Sequence, residues 1–330
     1  MSQEDNPKAL ELHRESIIFD GHCDVLMPVL AGERRLKERS QQGHLDLPRL
    51  REGGVTAQVF AVFDYWEKIG SERATAQALR MLDAFYQEVE ANPGSLTPAT
   101  AAADVERAKR ENKVAGILSL EGAEPLAGDL RLLRTFYRLG VRNIGLTWNY
   151  RNQAADGVGV NQPHGLTDFG RDLLREMNRL GVMVDIAHLA PAGVADVLAL
   201  SAQPVISSHS GACALRSHRR NLTDEQLEGI ARSGGVVGVT FVPTFLSASA
   251  EKAHISQALD HIDYIARAVG VDYVGLGSDF DGYKGLTHGL EDVTCLPQIT
   301  AGLLERGYAP PEVRKILGGN FLRVFKQVCG

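Results

Sequence analysis

Eight short apolar runs, many rich in β-branched residues, recur along the chain at residues 16–19, 55–63, 114–120, 141–146, 182–186, 204–207, 236–240 and 273–276. Most are continuously apolar rather than alternating, as strands covered on both faces are. Between them lie stretches with helical spacing, at residues 72–90, 101–113, 130–139, 168–180, 191–198, 223–233 and 256–269. Thr167 or Asp168 can cap the helix that stops at Leu180-Gly181. Thr223 with Gln226 three residues on forms a capping-box pattern. Strand and helix alternating in this way predict an α/β protein, a (β/α)8 TIM-type barrel. The apolar spacing after Pro310, through Val313, Ile316, Leu317, Phe321, Leu322 and Phe325, predicts closing C-terminal helices.

At 330 residues the chain matches one such barrel, so residues 1–330 are read as a single domain without repeat or linker. A 44% hydrophobic and 23% charged composition supports a large core and excludes wholesale disorder. The 41 acidic and 35 basic residues form no long run of one sign, which argues against nucleic acid and anionic membranes as partners. The polar, acidic start has no apolar signal core, and the run at 236–246 is too short to span a bilayer. A cytoplasmic protein is expected. Its scattered cysteines, Cys23, Cys213, Cys295 and Cys329, read as reduced thiols.

In a barrel of this kind, chemistry sits where strands end. Here those ends carry His22 and Asp24, Glu121, His188, His209 and Asp279. His22 and Asp24 are two apart, so an extended chain points both to one face. Imidazole and carboxylate are zinc donors, and apolar strands ending in such groups five times over predict one shared metal centre. Glu121 has two oxygens, and it is the candidate to bridge two cations. Asp279 suits a general acid/base; Asp281 reads as a loop or capping residue. Asp279-x-Asp281-Gly282 fails as a calcium loop because its twelfth position is Leu290, and Gly275-x-Gly277 lacks the third glycine of a dinucleotide site. No HExxH and no nucleophile elbow occurs.

The chain resembles the membrane (renal) dipeptidase family of zinc peptidases, within the amidohydrolase-like metallohydrolases. The resemblance spans almost the whole sequence. It rests on Asp20-Gly21-His22-Cys23-Asp24, Ser119-Leu120-Glu121-Gly122, Asp185-Ile186-Ala187-His188, Ser208-His209-Ser210, Arg219-Arg220-Asn221, Gly277-Ser278-Asp279-Phe280-Asp281-Gly282 and Gly319-Asn320-Phe321. It implies two Zn2+ per chain, one on His22, Asp24 and Glu121, the other on Glu121, His188 and His209. It further implies that Arg220 binds the terminal carboxylate of a dipeptide and that Asp279 handles the proton. Histidines and carboxylates also accept other divalent transition metals. One departure stands out: Trp148 occupies the place of the family's substrate-polarising histidine, and it reads either as a pocket wall or as core packing.

The expected activity is hydrolysis of dipeptides, including those with a D-residue at the C-terminal position, by a metal-bridging hydroxide. Two other readings stay open. One is a metal amidohydrolase acting on N-acyl amino acids, small amides or lactams, and the other is a non-catalytic metal- or peptide-binding barrel. A homodimer is compatible with either.

Overall fold

The structure, a computed structural model, describes residues 7–330 apart from the side chains of Ser71 and Glu72. Residues 1–6 of the polar start read for its lack of a signal core lie outside the described residues. Nine parallel strands form one sheet: β1 Phe19–Cys23, β2 Ala57–Val62, β3 Leu96–Pro98, β4 Val114–Glu121, β5 Val141–Gly145, β6 Met183–Asp185, β7 Val205–Ser210, β8 Val236–Val239 and β9 Val274–Leu276. β2 pairs with β4 in unbroken register from Ala57↔Ala115 to Val62↔Leu120, and β1 pairs with both β2 and β9. The sheet is therefore a closed barrel. β3 stands outside it, paired with the first residues of β4.

Helices return from one strand to the next on the outer surface, among them Ser71–Ala91, Leu130–Arg138, Asp168–Leu180, Pro191–Leu200, Asp224–Arg232 and Ile255–Val269, and Leu296–Glu305 follows the last strand. Their ends follow the sequence. Thr167 accepts the Gly170 amide, Gly181 takes the left-handed conformation, and Thr223 and Gln226 cap each other's backbone. All eight residues of β4 are buried, the run 114–120 as a strand covered on both faces is and Glu121 as the site residue at its end. The C-terminal helix Asn320–Cys329 places Phe321 and Phe325 in one buried cluster with Phe19, Ile117, Met183 and Ile206, and Phe19 stacks on Phe321 at 5.2 Å.

β1 departs from the expected position. The apolar run at 16–19 only leads into the strand, which comprises Phe19–Cys23 and carries His22 inside it. Its polar residues are tolerated because they are partnered within the barrel. Asp20 accepts hydrogen bonds from the Ser278 amide at 2.7 Å, the Ser278 hydroxyl at 2.6 Å and Gln58 Nε2 at 3.0 Å.

Three glycines narrow the barrel beside β7. A methyl group at Gly277 or Gly238 would collide with the Ser208 carbonyl, and one at Gly21 would lie 2.8 Å from it. Strands β1, β8 and β9 thus approach the β7 backbone closely because these positions lack a Cβ.

Candidate active site

The ends of β1, β4, β6, β7 and β9 bring six side chains together at one mouth of the barrel: His22, Asp24, Glu121, His188, His209 and Asp279, all buried. Their donor atoms form three overlapping trios, His22/Asp24/Glu121, Glu121/His188/His209 and His22/His209/Asp279, each within 4.8 Å. Glu121 is divided between the first two. Its Oε2 lies 3.4 Å from His22 Nε2, while Oε1 lies 2.9 Å from His188 Nε2 and 3.8 Å from His209 Nε2. Asp24 Oδ2 lies 3.4 Å from His22 Nε2.

The surrounding chain fixes these groups. Asp24 and Asp279 are drawn together by reciprocal backbone bonds, the Asp24 amide to the Phe280 carbonyl at 2.9 Å and the Asp279 amide to the His22 carbonyl at 3.2 Å. The Trp66 indole N–H donates to the Glu121 carbonyl at 2.8 Å and holds the end of β4. His188 Nδ1 lies 2.9 Å from Asn149 Oδ1, and His209 Nδ1 lies 2.8 Å from the Ser208 hydroxyl. In both rings Nδ1 is engaged and Nε2 is turned inward. His188 (φ 68°) and Asp279 (φ 62°) sit on left-handed backbone, which costs roughly 1–3 kcal/mol for a residue with a side chain.

The electrostatics suit cations. Three buried carboxylates, Asp24, Glu121 and Asp279, gather in the donor trios, and Asp279, Glu121 and the buried Asp185 act on Arg220, the one buried guanidinium among the described residues at the site. Both ring nitrogens of His22 and Oδ1 of Asp24 lack a hydrogen-bond partner among the described residues. Buried groups left this way are costly, and a metal ion would satisfy them. Burial holds His188 down at about 4 and His209 well below the ordinary range, so both are neutral and able to ligate. Burial opposes a proton on His22, but Glu121 and Asp24 outweigh it and raise its pKa well above the usual value. Burial, with the Asp24 carboxylate beside it, raises Asp279 well above the carboxylate range. Opposing this, His22 and His188 hold Glu121 low against its own burial.

The other candidate residues are placed as follows. Arg220 is 5% exposed, so it is not a solvated member of the basic run 216–220. Its Nη2 donates to the His209 carbonyl at 3.0 Å, and its Nε has no partner among the described residues. Trp148 is half-buried at the end of β5, with its ring centroid 5.9 Å from that of His188. Asp281 is in none of the donor trios. It pairs with Arg34 at 2.5 Å and accepts the His44 amide at 2.7 Å, tying the chain after β1 to the loop after β9. Glu124 lies apart from the trios, and burial raises it to about 7. Asn149, Ser208 and Trp66 support the site without having been singled out in the sequence. All four cysteines are free.

A parallel barrel with histidines and carboxylates converging on its mouth is the architecture of a metallohydrolase. The model of the membrane dipeptidase family, peptidase family M19, matches residues 7–329, and the chain belongs to that family. It is 34% identical over 324 residues to dipeptidase tcpJ of Claviceps purpurea (strain 20.1), covering 94% of this chain and 76% of that protein. Among solved structures it is similar to dipeptidase AC, a metallopeptidase of family M19, at 34% identity and a TM-score of 0.89, with 96% of this chain and 100% of the other covered. It is also similar to a Rhodobacter sphaeroides metallopeptidase liganded with a phosphinate mimic of L-Ala-D-Ala, at 33% identity and a TM-score of 0.88, covering 95% and 100% of the two chains. The probable dipeptidase PvdM of Pseudomonas aeruginosa matches at 27% identity and a TM-score of 0.90, with 97% of each chain covered.

Proposed function

We propose that this protein cleaves dipeptides, including those with a D-residue at the C-terminal position, at a centre of two zinc ions. The observation that carries this reading is the division of Glu121 between two donor trios. His22, Asp24 and Glu121 Oε2 would hold one ion, and Glu121 Oε1, His188 and His209 the other. Bound there, zinc supplies Lewis acidity, polarising the scissile carbonyl and lowering the pKa of a shared water from about 15.7 towards ~7.

The chain's own residues supply the rest. Asp279, beside His22 and His209, takes the nucleophile's proton onto its carboxylate, where burial favours holding it, and returns it to the departing amine. Arg220 offers its unpartnered Nε, beside an Nη2 already anchored to His209, to the substrate's free carboxylate. This anchor places the bond that precedes the C-terminal residue across the donor trios. An N-acyl amino acid presents the same carboxylate, and the similarity to an amidohydrolase of Pseudomonas aeruginosa (27% identity, TM-score 0.85) keeps that substrate class as a second reading.

Metal analysis and hydrolysis of a dipeptide panel with L- and D-residues at the C-terminal position test the assignment. His22→Ala is expected to lose bound metal and activity together. Asp279→Asn should retain metal while kcat falls roughly 10²–10⁴-fold. Wild-type turnover by Asp279→Asn, or by metal-free protein, would overturn the scheme, and faster cleavage of N-acyl amino acids than of dipeptides would favour the second reading.

A further inference from the structure

Beside His188 at the barrel mouth stands an aromatic panel that the donor trios do not use. Phe63 and Tyr65 follow β2, and Trp148 and Tyr150 follow β5. The Trp148 ring centroid lies 5.1 Å from Phe63, 5.9 Å from Tyr65 in an edge-to-face arrangement, and 5.6 Å from Tyr150. Phe63 is buried and backs the panel, whereas Tyr65 is 41% and Tyr150 48% exposed. Among the described residues these two tyrosines are the only aromatic members of the exposed large apolar side chains. Trp66, by contrast, is buried with its N–H satisfied by the Glu121 carbonyl. Core packing accounts for Trp66 and Phe63 but leaves the exposure of the two tyrosines around Trp148 unexplained.

We propose that this panel receives the side chain of the dipeptide's N-terminal residue and selects for large apolar residues there, aromatic ones above all. The inference rests on the dipeptidase reading. Around the barrel the order of strands is β1, β2, β4, β5, β6, β7, β8, β9. Arg220 follows β7, opposite β2 and two strands from β5, and Asp279 follows β9, opposite β5 and two strands from β2. A substrate with its carboxylate on Arg220 and its scissile carbonyl at Glu121 and His188 extends its amino-terminal residue towards β2 and β5. There it meets Trp148, adjacent to His188. Aromatic side chains have few rotamers, so the panel loses little conformational freedom on binding and offers ring faces and edges to an aromatic guest. Glycine or alanine at the same position leaves those faces wet.

The test compares kcat/KM for X-Ala dipeptides with X as Phe, Leu, Ala, Gly, Lys and Asp on the zinc-loaded enzyme. Phe-Ala is expected to exceed Gly-Ala by roughly ten- to hundredfold. Trp148→Ala, Tyr65→Ser and Tyr150→Ser should each lower that ratio, with the Gly-Ala value of each protein as its own reference. Binding gives a readout separate from turnover, because Trp148 is one of only two tryptophans. A phosphinate dipeptide mimic with a benzyl side chain on its amino-terminal residue should alter the protein's fluorescence, and Trp148→Phe should abolish the change. Equal rates across X, a preference for Lys or Asp, or an unchanged Phe/Gly ratio in all three variants would overturn the subsite while leaving the dipeptidase reading intact. Failure to hydrolyse any member of the panel would overturn both.

Discussion

His188 can act as a ligand through Nε2 only while Nδ1 keeps its proton, and the 2.9 Å contact with Asn149 Oδ1 sets that tautomer. Asn149→Ala is accordingly expected to weaken metal binding roughly 10–100-fold, measured by competition with a chelator of known affinity. An unchanged affinity would mean that the ring needs no such support. The donors themselves were legible because they interrupt apolar runs at strand ends, where packing gives no reason for a histidine or carboxylate. Their supports were not. Asn149 and Ser208 look like ordinary loop and strand polar residues until the fold shows which imidazole each touches, and adjacency to Trp148 and His209 was the only signal available. Trp66 was hidden for a related reason, since an indole reads as core and its bond to the Glu121 carbonyl depends on where β2 and β4 end.

Between elements, the buried ion pair of Arg34 and Asp281 joins the segment after β1 to the loop after β9. Both side chains are buried, at 6% and 4% exposure, so Asp281→Ala strands a guanidinium out of water. The expected cost is about 3–5 kcal/mol, read from the midpoint of urea unfolding. A loss below about 1 kcal/mol would show that Arg34 swings out to solvent instead. Among the strands, those that pack apolar residues on both faces were the readable ones, and β4 matches its expected bounds almost residue for residue. β1 was displaced because its stabilising contacts are polar and internal, Asp20 with Gln58 and Ser278, and no hydrophobic pattern reports them. β3 escaped notice as three residues ending in proline, and the helix Pro7–Glu15 was passed over because charged positions dominate it.

For the molecule as a whole, two histidines remote from the metal-ligand trios link stability to pH. Burial holds His13 and His261 down at about 4, against an ordinary value near 6.5. His13 bonds Thr300 and the Gly53 carbonyl, and His261 Nδ1 accepts the Ala212 amide. Between those two pH values the unfolded chain binds more protons than the folded one, so stability rises with pH. The contribution of each is complete above about pH 6.5 and lost as pH falls through about 4, up to about 3 kcal/mol apiece. The stability gap between wild type and His13→Gln should therefore shrink by about 2–3 kcal/mol from pH 7 to pH 4.5 in denaturant titrations. A gap independent of pH would show that His13 titrates normally.

The close approach of Gly21, Gly238 and Gly277 to the Ser208 carbonyl has a bearing on the metal chemistry although none of the four residues supplies a donor. Gly21 precedes His22, Ser208 precedes His209, and Gly277 lies two before Asp279, so the thickness of bare backbone acts as a gauge block for one whole trio. A methyl group added at any of the three would push the Ser208 backbone away and alter the spacing of His22, His209 and Asp279, which makes the missing side chains as much a determinant of calibre as the histidines they position.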